Sequence, residues 1–166
     1  MKETDFTRTT MRSLKALAGR FWFHKIADSG TLEFSRPRAI DVVASWNGHF
    51  IGIEFKLHKS LNAFPLKSVR LDQMECLSEL HASGATALII IGVYLGPRKR
   101  IAYSIPIDTW LQTVTVLDPK AKSVRLQDVF ADYGHVLPAT VTQWTQSDLI
   151  ALIGRHKYDA RLSRDV

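Results

Sequence analysis

Apolar positions along this chain fall into two rhythms. From Ile40 to Lys56 it reads IDVVASWNGHFIGIEFK, two apolar runs joined by Asn47-Gly48. Asn-Gly is the strongest short hairpin signal, because a type I′ turn needs positive φ at both positions. ATALIIIGVYL, Ala85 to Leu95, is apolar throughout and rich in β-branched residues, which predicts a strand buried on both faces. Helical rhythm comes first in Thr4 to Arg20, where Phe6, Leu14, Leu17, Ala18 and Phe21 share a side and Gly19 lies near the end. It returns from about Val69 to Ala82, with a stripe of Gln73, Leu77 and Leu80 and a stop at Gly84. FWFHKI (21–26) predicts a first strand, and 28–38 a loop broken at Gly30 and Pro37. The stretch 58–68 is polar and irregular. GPRKR (96–100) is a turn, IAYSIPI (101–107) a strand, and Asp108 the cap of a short helix. The last third, 123–134 and the text around Ser147, reads as helix and loop. Together these predict one α/β domain over 1–166, with a mixed central sheet flanked by helices. Its core spans about 4–110, followed by a C-terminal extension, about 111–166.

Composition narrows the class. The chain has 166 residues, 46% hydrophobic and 23% charged, which suits one compact domain. Its longest apolar run is too short to span a bilayer, and the N-terminus carries no apolar signal segment. Cys76 is the single cysteine, so neither an internal disulfide nor a CxxC zinc site is expected, and a reducing cytoplasm is the expected home. The net charge of +6 points to a polyanion, and nucleic acid is the commonest one. A small-molecule α/β enzyme finds no support, since neither GxGxxG nor GxxxxGK[ST] occurs.

The hairpin raises a chemical question. With Asn47-Gly48 as the loop, Trp46 pairs with His49, Val42 with Ile53, and Asp41 falls opposite Glu54. Directly opposed residues share a face. Lys56, two residues beyond Glu54, lies on that face too, while Ile51, Ile53 and Phe55 point into a core. Opposed like charges destabilise a sheet. Two carboxylates held together call for a cation, and oxygen ligands in a partly open site suit Mg²⁺ or Mn²⁺. Lys56 would then orient a water or stabilise charge on a phosphate. The competing reading is a solvated sheet face, since E-x-K alone is common.

An aspartate followed by E-x-K on a hairpin resembles the PD-(D/E)XK nuclease superfamily, with its restriction-endonuclease-like core. Glu54, Lys56, Phe64-Pro65-Leu66, Gln73, Gly84 and the strand Leu88 to Val93 are similar to the RecU-type Holliday junction resolvases. His24-Lys25 matches a family position after the first helix, and Ser123 to Gly134 is similar to the C-terminal pattern. The resemblance implies a catalytic set of Asp41, Glu54 and Lys56, with Gln73 supporting it from its helix. Asp41 and Glu54 would be the metal ligands. An acidic residue on the first helix is also implied, Glu3 or Asp5, with Glu3 preferred. The stalk that family carries before the catalytic aspartate is short or missing, since only Ala27 to Ile40 fills the gap. The long basic N-terminal arm is absent as well. In this compactness the chain is more similar to archaeal-type and phage resolvases.

The expected activity is therefore metal-dependent hydrolysis of phosphodiesters in four-way DNA junctions, as paired symmetric nicks. Alternatives are a nuclease acting on linear duplex and a non-catalytic DNA-binding module. Expected backbone contacts are Arg36, Arg38, Lys59, Lys67, Arg70, Arg98, Lys99 and Arg100, with Arg155, His156, Lys157, Arg161 and Arg164 as a basic tail. Two symmetric cuts imply a homodimer. Trp22, Phe23, Trp110 and Trp144 are candidate interface aromatics. No membrane and no small-molecule cofactor are expected as partners.

Overall fold

A computed structural model of the chain describes residues 3–15, 21–26, 39–46, 48–95 and 100–137. The expected hairpin forms its centre. Strands β2 (Val42–Trp46) and β3 (His49–His58) pair antiparallel in the register set by the Asn-Gly loop, from Trp46↔His49 to Val42↔Ile53. Gly48 has φ +83° and Gly84 φ +89°, the two positions where the sequence called for a turn and a helix stop. Asn47 and Gly19 lie outside the described residues.

Six strands make the main sheet, in the order β1 (Phe21–Lys25), β2, β3, β5 (Thr86–Tyr94), β6 (Arg100–Pro106), β8 (Gly134–Leu137). β3 and β5 run parallel, and the other neighbours are antiparallel. The sheet is therefore mixed, as expected. A parallel pair needs a crossover, and helix α2 (Leu71–Ala82) supplies it. The crossover helix starts at the end where β3 finishes and runs back to where β5 begins. Its first turn is thereby carried to the C-terminal half of β3.

Alternation along β3 and β5 separates two cores. Ile51, Ile53, Phe55, Leu88 and Ile90 face α1 (Glu3–Lys15), whose Phe6 ring meets Phe55 edge-on at 6.0 Å between centroids. Ile89, Ile91 and Val93 face the other way, toward Leu77 of α2 and Trp110 of α3 (Ile107–Val116). Helices thus flank both faces. The buried side of α1 is more polar than its sequence suggested: Thr7, Thr10 and Ser13 are buried beside Phe6. Thr10 and Ser13 donate their hydroxyls to carbonyls one turn back, at 3.0 and 2.9 Å, which makes that burial tolerable. Leu17 and Ala18 lie outside the described residues.

Element ends differ from expectation for local reasons. α2 starts at Leu71, because Val69 closes a 3-10 turn over Leu66–Ser68 and is itself buried. β6 stops at Pro106, which has no N–H for the ladder and instead serves as the N-cap of α3. Asp108 sits in that helix's first turn and is not its cap. The stretch read as helix and loop contains two strands the pattern did not announce. β7 (Ser123–Val124) pairs with β4 (Phe64–Pro65), and β8 extends the main sheet. α4 (Leu126–Val129) lies between them, and Val124, Leu126 and Phe130 join the second core.

Candidate active site

β3 carries Glu54 and Lys56 on the face that α2 covers, between residues that fill the α1 side. Glu54 is 2% exposed, and Lys56 Nζ stands 2.8 Å from its Oε1. The first turn of α2 reaches the same oxygen, where Gln73 donates Nε2–H to Oε1 at 2.6 Å. The other end of that amide is fixed as well, since Gln73 Oε1 accepts the Arg70 N–H at 3.1 Å. An acceptor bond at one end and a donor bond at the other leave a single orientation for the amide. The same bond satisfies an orphan N–H at the helix start, as the glutamine of a capping box does. Gln73 was expected to support the site, and it is buried against it.

Asp41 was expected directly opposite Glu54. The ladder instead ends one pair earlier, at Val42↔Ile53. Beyond it the Asp41 N–H donates to the Ile53 carbonyl at 3.1 Å, and its Oδ2 accepts the Phe55 N–H at 2.8 Å. The aspartate side chain replaces a backbone acceptor, so Asp41 brackets Glu54 from the neighbouring strand. The Ile26 N–H donates to the Asp41 carbonyl at 2.9 Å and ties the same point to the end of β1. Asp41 is 3% exposed, so both carboxylates are withdrawn from water.

Withdrawing an ion from water carries an effective penalty of several kcal/mol (about 3–5 when a partner is removed). Lys56, Gln73 and the Phe55 N–H oppose it here. Arg70 lies within the electric field of both carboxylates. Its guanidinium is held above its usual range, first by its hydrogen bond to Asp72, with Glu54 and Asp41 adding to the effect. Asp72 is lowered in turn, chiefly by the bond from Arg70. A depressed carboxylate keeps its ion pair above the unfolded pKa of about 3.9 and loses it only as pH falls through the lower folded value, so the pair is intact at neutral pH. Burial raises the Cys76 thiol, with Glu79, Asp72 and Glu54 contributing, which leaves it a poor nucleophile.

Among the described residues, no three His, Cys, Asp or Glu side chains are grouped to hold a metal. The candidate ligands are two, Asp41 and Glu54. Mg²⁺ is usually held by one or two carboxylates together with water and substrate phosphate, so this donor set fits Mg²⁺ or Mn²⁺ and does not suit zinc.

The remaining expected residues scatter. Glu3 opens α1, but its side chain lies outside the described residues. Asp5 is partly exposed and pairs with Arg8 along α1 at 3.5 Å. Lys59 and Lys67 are exposed. Arg36, Arg38, Arg98 and Lys99 lie outside the described residues, as do the side chain of Arg100, the whole 155–164 tail and Trp144. Trp110 is not an interface residue: it is fully buried, stacked on Phe130 at 5.7 Å and edge-on to Phe64 at 6.0 Å. Phe23 packs against the α1 core. Trp22 is exposed and stacks on His24. Sequence reasoning missed Asp72. Its signal was Arg70-Leu71-Asp72 at a helix start, which only the fold connects to Glu54.

No family model and no curated protein matches the chain. Among solved structures the chain is similar to Hjc of Archaeoglobus fulgidus, a Holliday junction resolvase from an archaeal hyperthermophile. The two are 17% identical over 79% of this chain and 86% of that one, with a TM-score of 0.43.

Proposed function

We propose that the protein is a metal-dependent endonuclease of the PD-(D/E)XK superfamily that resolves four-way DNA junctions. One observation carries this reading: Lys56 and Gln73 converge on the buried Glu54 carboxylate while Asp41 brackets the same strand. A core has no stability reason to hold such a cluster, since replacing buried ion pairs by apolar residues is often neutral or stabilising. The basic charge of the chain favours a polyanionic substrate.

Asp41 and Glu54 would hold Mg²⁺, with Mn²⁺ able to take its place. When bound, such an ion polarises the scissile phosphate and lowers the pKa of a water. The chain's own residues set the geometry. The Phe55 N–H fixes the Asp41 carboxylate, and Gln73 fixes that of Glu54. Lys56 places a positive charge beside the carboxylates, where negative charge develops on the phosphate. Water attacks phosphorus in line and the P–O bond to the leaving strand breaks, with positioning and charge stabilisation doing most of the catalysis. No small-molecule cofactor enters this scheme. Paired symmetric nicks require two sites, hence a homodimer on branched DNA. On this reading the protein works in the cytoplasm, in a bacterial host or at its nucleoid, which suits a phage-type gene.

The test is cleavage of a labelled four-way junction beside the matching linear duplex, with Mg²⁺ or EDTA, by wild type and Asp41→Asn. Paired nicks in the junction alone, abolished by EDTA and by the substitution, are expected. Equal cutting of the duplex would keep a nuclease and discard junction preference. No metal-dependent cutting of either would leave a DNA-binding module.

A further inference from the structure

We propose that Asp72 is a positioning residue: it holds the Arg70 guanidinium beside the carboxylate site, set to receive a backbone phosphate of the bound DNA. The choice of DNA as ligand rests on the function proposed above; the geometry does not.

Both ends of Arg70 are fixed. Its backbone N–H bonds Gln73 Oε1, and the same Gln73 donates to Glu54, so the arginine is anchored two hydrogen bonds from that carboxylate. Its head is chelated side-on, with Nε 2.9 Å from Asp72 Oδ1 and Nη2 2.7 Å from Oδ2. Two parallel N–H···O bonds of this kind fix the plane of the guanidinium as well as its place. Arg70 is the N-cap of α2, and Asp72 stands in the first turn. A cation at that end opposes the helix dipole, whereas a carboxylate there is favoured. Asp72 is therefore held by the helix and in turn holds an arginine that the helix alone would repel.

The pair is open to a large ligand, with side chains 46% and 39% exposed. Ion pairs so exposed contribute little to folding. Their effect lies in restricting a side chain that otherwise loses much rotamer freedom on meeting a phosphate. A guanidinium can bind carboxylate and phosphate together because it presents five donors in a rigid fork. A lysine at 70 would supply charge without that fork.

The decisive experiment combines cleavage kinetics with DNA binding in EDTA, using a fluorescent four-way junction and the variants Arg70→Ala, Arg70→Lys, Asp72→Asn and Arg70→Ala/Asp72→Asn. Thermal melts should match wild type. Arg70→Ala should lower kcat/KM roughly a hundredfold, with Arg70→Lys recovering little. Asp72→Asn should lower it about tenfold and add nothing in the Arg70→Ala background. In binding, Arg70→Ala should reduce the salt dependence by about one released counterion, while Asp72→Asn should weaken binding and keep that salt dependence. Two results would overturn the proposal. One is an Asp72→Asn protein that binds or cuts as well as wild type or better, making Asp72 idle or a competitor for Arg70. The other is an Asp72→Asn loss that persists without Arg70. The two readings can fail separately: binding coupled through Arg70 and Asp72 without any cutting would end the nuclease and keep the positioning role. Cutting without that coupling would do the reverse, and a chain that neither binds nor cuts would end both.

Discussion

Asp41 has one job in this fold and another in the proposed reaction, and they can be separated at the level of one atom. Its Oδ2 accepts the Phe55 N–H where the ladder has no carbonyl to offer. An asparagine keeps an oxygen acceptor there, whereas an alanine leaves a buried N–H unsatisfied, which costs about 1–3 kcal/mol. Asp41→Asn should therefore melt close to wild type, and Asp41→Ala should be destabilised by that amount in a denaturant titration. Both should lose divalent-ion binding by calorimetry, because the charge is gone in each. Equal stability of the two variants would mean that the carboxylate does not serve the ladder. The sequence made this pairing half legible. Counting back from Asn47-Gly48 put Asp41 beside Glu54, and Gln73 at the head of the stripe completed with Leu77 showed a polar residue facing the sheet. It did not show Asp41 leaving the ladder, because a side chain substituting for a backbone carbonyl leaves no mark in residue spacing. The Asp72 chelate was hidden for a different reason: its meaning depends on α2 docking over β3.

At the scale of elements, two glycines let helices lie close on the sheet, one on each side. A Cβ on Gly92 would come within 2.6 Å of Phe6 Cζ, with further ring atoms nearby. One on Gly52 would meet Leu80 Cδ1 at 2.6 Å and other side chains only beyond 3.5 Å. The leucine tip is flexible and half-buried and can rotate away. The Phe6 ring is buried between α1 and Phe55 and cannot move without the helix. Gly92→Ala should thus cost about 1–3 kcal/mol, the range for overpacking a core, and Gly52→Ala clearly less. Chemical denaturation of the two variants decides it, and an equal loss would mean that α1 yields as readily as a leucine tip. Elements with strong local signals were legible in the sequence: the hairpin, the apolar strand β5 and the helix before it. The small β4–β7 sheet and the edge strand β8 were not. Each is short, and β4 finds its partner β7 far along the chain, where Phe64↔Val124 is a tertiary contact with no local pattern behind it.

For the whole molecule, the decisive property is that Asp41, Glu54, Lys56 and Gln73 all come from one chain. In the proposed two-fold dimer, each of the two sites would draw these four residues from its own protomer. That arrangement makes a prediction which a monomer would not. Mixing wild type with an excess of Asp41→Asn protein, then allowing subunits to exchange, should populate dimers with one working site. On a four-way junction those dimers should make a single nick, so the product should shift from resolved duplexes toward singly nicked junctions. The total nicking rate per wild-type protomer should hold roughly constant. Mixing Asp41→Asn with Glu54→Gln protein separates the two arrangements: shared sites would regain one working site per mixed dimer, whereas sites complete in one protomer should leave that mixture inactive. If the protein worked as a monomer, resolved product would appear as two uncoordinated nicks whose ratio does not depend on the variant added. Sedimentation of the free protein, run beside the assay, fixes which state enters the reaction. The net charge of +6 would bring either form to DNA, but the two symmetric cuts of the proposed reaction would need the paired form.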